Sequence, residues 1–135
     1  MQMKKILPYT IFSVVLVVAA LFFAEVGKGD DDINHCLVKY KSEWSKECSQ
    51  CLDYSKSYKA YFRNECAKKI DVKVAAQEAD KRWKTFVRLE MNPKDTVVAY
   101  ACKGTGKYLY WVRESGDNTV VFLTDDEINE QFFAK

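Results

Sequence analysis

From Tyr58 onward the sequence keeps a period of two, and that rhythm limits what the chain can fold into. Tyr58, Ala60 and Phe62 alternate with Lys59, Tyr61 and Arg63. Ile70, Val72, Val74 and Ala76 alternate with Asp71, Lys73 and Gln77, and Trp83, Thr85, Val87 and Leu89 with Lys84, Arg88 and Glu90. Successive side chains of a strand point to opposite faces, so each run collects an apolar row on one side. Thr96–Cys102, Lys107–Glu114 and Thr119–Leu123 continue the series. The separators Ala79-Asp80, Asn92-Pro93-Lys94-Asp95, Gly104-Thr105-Gly106 and Ser115-Gly116-Asp117-Asn118 carry turn residues. About six short strands across 58–123 predict a mainly β fold, an antiparallel sandwich or a partly open barrel. The alternation predicts one wet face per strand.

Two helices are expected to flank this region. Leu37, Tyr40, Trp44, Cys48 and Cys51 recur at spacings of three and four, which predicts an N-terminal amphipathic helix over 33–52, capped by Asp32. Ser42, Ser45 and Ser49 are poor helix formers within it. Thr124-Asp125-Asp126-Glu127 reads as a capping box for a short C-terminal helix over 125–133, with Ile128 and Phe132 on one face. The acids there suit the helix dipole and are read as caps, not as metal ligands or catalysts.

Ahead of this domain, Lys4-Lys5 precedes Ile6–Ala24, a run without a charged residue, and Glu25 and Asp30-Asp31-Asp32 follow it. Basic before and acidic after orients such a segment with the domain on the far side of a membrane. Residues 1–24 therefore read as a signal peptide or an N-terminal membrane anchor. As a helix, 6–24 would span roughly 28 Å, nearly a bilayer core. Pro8 and Tyr9 shorten the best apolar stretch towards signal-peptide length, while bulky Phe22 weakens a cleavage site after Ala24. Residues 25–35 read as an acidic linker and 36–135 as one small exported domain, long enough to bury a core. The expected address is extracytoplasmic: periplasmic, cell-surface or secreted, with a membrane contact through residues 6–24 if they are retained.

The net charge of +2 resides in Lys4 and Lys5, so the remainder is neutral. Together with export, this argues against nucleic acid. Charge is nonetheless segregated: Cys36–Arg113 is basic, and both flanks are acidic. The basic middle either receives those flanks or offers an anion-binding face.

Five cysteines, Cys36, Cys48, Cys51, Cys66 and Cys102, leave one unpaired in a monomer and permit a disulfide-linked homodimer. In an oxidising compartment disulfides are the default. Two cysteines at strand ends favour Cys66–Cys102, and the N-terminal part favours Cys36 with Cys48 or Cys51. Cys48-Ser49-Gln50-Cys51 as a redox pair would want a buried strand before it and a helix starting at Cys48; Ser45-Lys46-Glu47 stands there instead. Leu52 follows Cys51 where covalent haem attachment needs His. A zinc site drawn from Cys48, Cys51, Cys66 and Cys36 or His35 has a single CxxC, in a compartment that disfavours thiolates. No metal and no cofactor are expected.

Other signatures do not assemble into catalysis. His35, the one histidine, sits beside the acidic linker, away from any nucleophile pattern. Gly104-Thr105-Gly106-Lys107 has Ala101 and Tyr108 where a phosphate loop needs Gly and Ser or Thr, so a hairpin turn is expected. Aromatic and basic residues interleave twice. Tyr58, Tyr61 and Arg63 lie in one cluster, with Tyr54, Lys56 and Lys59; Lys107, Tyr108, Tyr110, Trp111 and Arg113 lie in the other, with Lys103. Such rows stack on sugars or contact anionic polymers, and they also simply stabilise sheets.

Asn64-Glu65-Cys66, Trp83, Asn92-Pro93 and Ala101-Cys102 in this β context resemble small exported bacterial domains of unknown function, over roughly residues 58–115. The resemblance implies a compact β fold and an extracytoplasmic address, and no activity. The expectation that follows is a non-enzymatic interaction or structural module that meets an envelope protein or a glycan. The alternative is a thiol–disulfide oxidoreductase using Cys48 and Cys51.

Overall fold

The computed structural model describes residues 33–133. The expected leader 1–24, most of the acidic linker and the Asp32 cap lie outside them. The described chain is mainly β. Its strands are β1 (Leu37–Trp44), β2 (Tyr58–Asn64), β3 (Ile70–Glu78), β4 (Trp83–Met91), β5 (Thr96–Ala101) and β6 (Gly104–Glu114), followed by one helix, α1 (Asp125–Phe132). They form two antiparallel three-stranded sheets, ordered β1-β2-β5 and β4-β3-β6. Ile70, Val72, Val74 and Ala76 of β3 meet Tyr58, Ala60 and Phe62 of β2 and Ala99 and Ala101 of β5 in one buried cluster. The core thus lies between the sheets, and the expected rows of β2 and β3 help fill it. The row Trp83, Thr85 and Val87 of β4 instead pairs with Gln77, Ala75 and Lys73 and faces outward, while Phe86 and Met91 reach the core.

The N-terminal helix over 33–52 is not formed. Ile33–Cys36 make one 3-10 turn, and Leu37–Trp44 are the edge strand β1. A bulge between Lys39 and Lys41 explains the false helical period. It shifts the parity of β1, so that Leu37 and Trp44, seven residues apart, pair with Asn64 and Tyr58, both buried. A seven-residue recurrence on one face is also what a helix would show.

The expected strand Thr119–Leu123 is absent as well. Backbone carbonyls there are met by side chains: Arg113 Nη1 donates to Val120 O at 2.8 Å, and Lys73 Nζ to Leu123 O at 2.8 Å. These contacts come from the outer face of the β4-β3-β6 sheet, which is covered over β3 and the start of β4 and not wet there as expected, while Val87 and Leu89 farther along β4 stay exposed. Ala75 and Trp83 pack on Ile128 of α1, with Leu109, Trp111, Leu123 and Phe132 around them. Even Asp71, Lys73 and Gln77 of β3 are buried. Lys73 Nζ also pairs with Asp125 Oδ1 at 2.7 Å. The acidic tail thus folds back on the basic middle here.

α1 begins as anticipated. Thr124 Oγ1 accepts from Glu127 N–H at 3.2 Å, and Glu127 Oε2 accepts from Thr124 N–H at 2.7 Å. Asn129 then ties the helix to β4, accepting from Trp83 N–H at 2.7 Å and donating to Trp83 O at 3.2 Å.

Gly104-Thr105-Gly106 is not a hairpin turn. β5 and β6 belong to different sheets, so the chain crosses from one to the other there. A Cβ on Gly104 would lie 2.3 Å from Tyr58 Cβ, which is fixed to the backbone of β2. Gly104→Ala is therefore expected to destabilise by about 1–3 kcal/mol, as overpacking does. Urea melts of the variant check it, and an unchanged midpoint would contradict the close approach.

Candidate functional site

Among the described residues no helix covers the outer face of the β1-β2-β5 sheet. Register places Val38 opposite Arg63, Lys41 opposite Tyr61 and Glu43 opposite Lys59. Across β2, Arg63 meets Thr96, Tyr61 meets Val98 and Lys59 meets Tyr100. These residues alternate with the buried Ala60 and Phe62, so they share the outward face.

On that face cations and rings interlock. Arg63 lies over the Tyr40 ring at 4.9 Å, and Lys41 Nζ over Tyr61 at 5.0 Å. The two tyrosine rings are 6.2 Å apart and tilted by 56°. Tyr61 O–H donates to Glu43 Oε2 at 2.7 Å, and Lys41 pairs with Glu43 at 2.8 Å. Burial pushes the Tyr61 phenol up to about 12, helped by the Glu43 carboxylate that accepts its proton. Lys41 first, and Tyr61 second, hold Glu43 below the usual carboxylate range. Glu65, bonded by Lys94 and by Arg63, is lowered likewise. Tyr40 and Val38 stay 43% and 41% exposed, which leaves an apolar surface between charged neighbours.

The structure scatters the other aromatic and basic candidates. Tyr61 and Arg63 lie on the open face. Tyr58 is buried, its ring 4.8 Å from Trp44. Tyr108 packs edge-on against Phe62 at 5.4 Å under Lys39, and Tyr110 lies 6.0 Å from Phe62 along the β6 edge beyond exposed Lys107. Trp111 lies on the opposite side of the molecule, against Phe132. Arg113 is committed to Asp71 at 3.0 Å and to Val120. Tyr40 and Lys41 complete the face instead. The helical reading of 33–52 hid them, although Val38 and Tyr40 are strand formers and the three serines weigh against a helix.

The sulfurs pair differently from the expectation: Cys36 with Cys66 and Cys51 with Cys102, leaving Cys48 reduced. Cys66 follows the C-terminal end of β2, whereas Cys102 follows β5 beside Tyr58, at the start of β2. Antiparallel pairing puts them at opposite ends of the sheet, about 20 Å apart, too far for a bridge. Two disulfides fit an oxidising, extracytoplasmic environment. Among the described residues no helix is long and apolar enough to cross a membrane.

The same geometry separates the zinc set drawn from Cys48, Cys51, Cys66 and Cys36 or His35. His35 Nε2 does lie 3.6 Å from Cys66 Sγ and 3.9 Å from Cys36 Sγ. Those sulfurs are bonded to each other, however, and a disulfide offers no thiolate to a metal. As an oxidoreductase pair, Cys48 and Cys51 are also divided: Cys51 bonds Cys102, and Cys48 is only 4% exposed. That burial also withholds Cys48 from a second copy of the chain. Comparison with known proteins adds no relative: no family model, curated protein or solved structure matches the chain.

Proposed function

We propose that the chain is a non-enzymatic module of the extracytoplasmic space, a disulfide-stapled sandwich delivered by a signal peptide or held by an N-terminal anchor of a bacterial envelope. It presents the open face of the β1-β2-β5 sheet to a glycan. The asymmetry of the two sheets supports this reading. One outer face is partly covered by α1, with Val87 and Leu89 of β4 still exposed, while the other has no such cover among the described residues and sets exposed Tyr40 and Val38 beside Arg63 and Lys41. A tyrosine ring on a flat sheet face offers a sugar ring an apolar platform, and the flanking charges bond its hydroxyls.

Co-sedimentation with insoluble peptidoglycan tests the proposal. Wild-type protein is expected in the pellet. Tyr40→Ala is expected to weaken binding roughly tenfold, the worth of one stacked ring at about 1–1.5 kcal/mol. Tyr110→Ala, on the β6 edge, should bind as wild type. Equal binding by all three proteins, or none by wild type, would remove the glycan. An envelope protein crosslinked to the same face would then take its place.

A further inference from the structure

Cys48, the free cysteine, lies three residues before Cys51, and its Sγ donates to Lys46 O at 3.6 Å. Cys51 N–H donates to Cys48 O at 3.1 Å, so the two cysteines close a hydrogen-bonded four-residue turn. Such a turn holds its end Cα atoms within about 7 Å, and cysteines up to about 6.8 Å apart can be bridged. Cys51 is meanwhile half of the disulfide to Cys102. A reduced thiol therefore sits at one end of a turn whose other end is an existing disulfide.

The surroundings suit exchange between them. Ser45–Ser57, the loop that carries the turn, is held by hydrogen bonds at its ends, among them Ser45 N–H to Ser57 O, Ser45 Oγ to Ser55 O and Ser57 Oγ to Lys46 O. It is tied to the rest of the domain by Tyr100 O–H to Gln50 Oε1 at 3.0 Å and Gly104 N–H to Lys56 O at 3.0 Å. The Cys102 side is fixed independently. Both carboxylate oxygens of Glu78 are engaged, accepting from the N–H groups of Cys102 and Lys103 at 3.0 Å each. Cys102 thus keeps its place when its sulfur is released.

We propose that Cys48, Cys51 and Cys102 form an internal thiol–disulfide exchange unit. The Cys48 thiolate attacks Cys51 Sγ; a Cys48–Cys51 bond forms as Cys51–Cys102 breaks. The electron pair leaves on Cys102 Sγ, which takes up a proton in place of the one Cys48 gave up. One thiol and one disulfide stand on each side of the step, so it needs no oxidant. The exchange moves the free thiol from buried Cys48 to half-buried Cys102 and removes the covalent tie between the loop and the end of β5, leaving the hydrogen bond of Tyr100 to Gln50. In that state the domain offers a thiol to a partner's disulfide.

Alkylation of the native, oxidised protein with iodoacetamide at about pH 8.5, where thiolate forms, tests this. Remaining thiols are blocked before tryptic mapping. Peptide 47–56 holds both Cys48 and Cys51, and peptide 95–103 holds Cys102. The expected result is label accumulating on Cys102 while peptide 47–56 acquires an internal disulfide. Cys48→Ser should abolish Cys102 labelling and keep the Cys51–Cys102 bridge. Label confined to Cys48, no label at all, or Cys102 labelling that survives in Cys48→Ser would each overturn the proposal.

Discussion

Asp71→Ala is expected to destabilise the domain by about 3–5 kcal/mol, the cost of breaking a buried ion pair from one side. Asp71 is 4% exposed on the middle strand β3. Its Oδ1 accepts from Glu90 N–H at 2.9 Å and Ser115 Oγ at 3.0 Å, and its Oδ2 from Arg113 Nε at 3.0 Å. Removing the carboxylate strands a guanidinium that is mostly covered and a backbone donor at Glu90. Glu90 is already held at φ 53°, in the left-handed region, opposite the bulge between Ile70 and Val72. One side chain thus joins β3 to β4, to β6 and to the turn after β6.

The same residue gives a pH signature. Desolvation raises the Asp71 carboxyl, but the Glu90 amide, Arg113 and Ser115 outweigh it, and the group lies below its ordinary value of 3.8. Asp125 is lowered too, by Lys73 first and Thr85 second. A lowered carboxyl stabilises the fold fully above its unfolded value, and that contribution fades as pH falls through the folded value. Urea midpoints should therefore hold from neutrality to about pH 4 and drop below it. Asp71→Asn should flatten the drop. An acid limb identical in wild type and Asp71→Asn would refute the assignment.

β2 and β3 were legible because they alternate cleanly, and β4 to β6 because turn residues punctuate apolar or alternating runs, although the inward face of β4 was misread and β6 begins within the expected turn at Gly104. What escaped depends on neighbours the sequence does not name. β1 was hidden by one bulge, which turned a period of two into an apparent helical recurrence at Leu37 and Trp44. Asp71, Lys73 and Gln77 looked like a wet face because they are polar. α1 and the segment before it cover that face, and polar side chains can be buried when their atoms are bonded. Trp111 and Arg113 were drawn into a binding cluster by sequence proximity alone; on one strand, Tyr110 and Trp111 necessarily face opposite ways. The capping box at Thr124 was readable because its whole logic lies within four residues.

The disulfides mark the limit of that reading and set the second large effect. Their connectivity depends on strand order, and no spacing of cysteines encodes strand order. With β2 between β1 and β5, the C-terminal end of β2 lies beside the start of β1, and its start beside the end of β5. Cys36–Cys66 staples the first junction and Cys51–Cys102 the second, so each clamps an edge strand to the centre. The bridges close sequence separations of 30 and 51 residues. Chain entropy assigns loops of that size roughly 3.5–4 kcal/mol each. Cys36→Ala with Cys66→Ala is therefore expected to lower stability by about 3–4 kcal/mol, a large share of the 5–15 kcal/mol typical of a domain. β1 should suffer most, since it pairs with β2 alone. Hydrogen exchange should show its amides opening ahead of those of β3. Non-reducing peptide maps of the wild type should join Cys36 to Cys66; a Cys66–Cys102 peptide would contradict the strand order itself, because those sulfurs cannot meet across the length of β2.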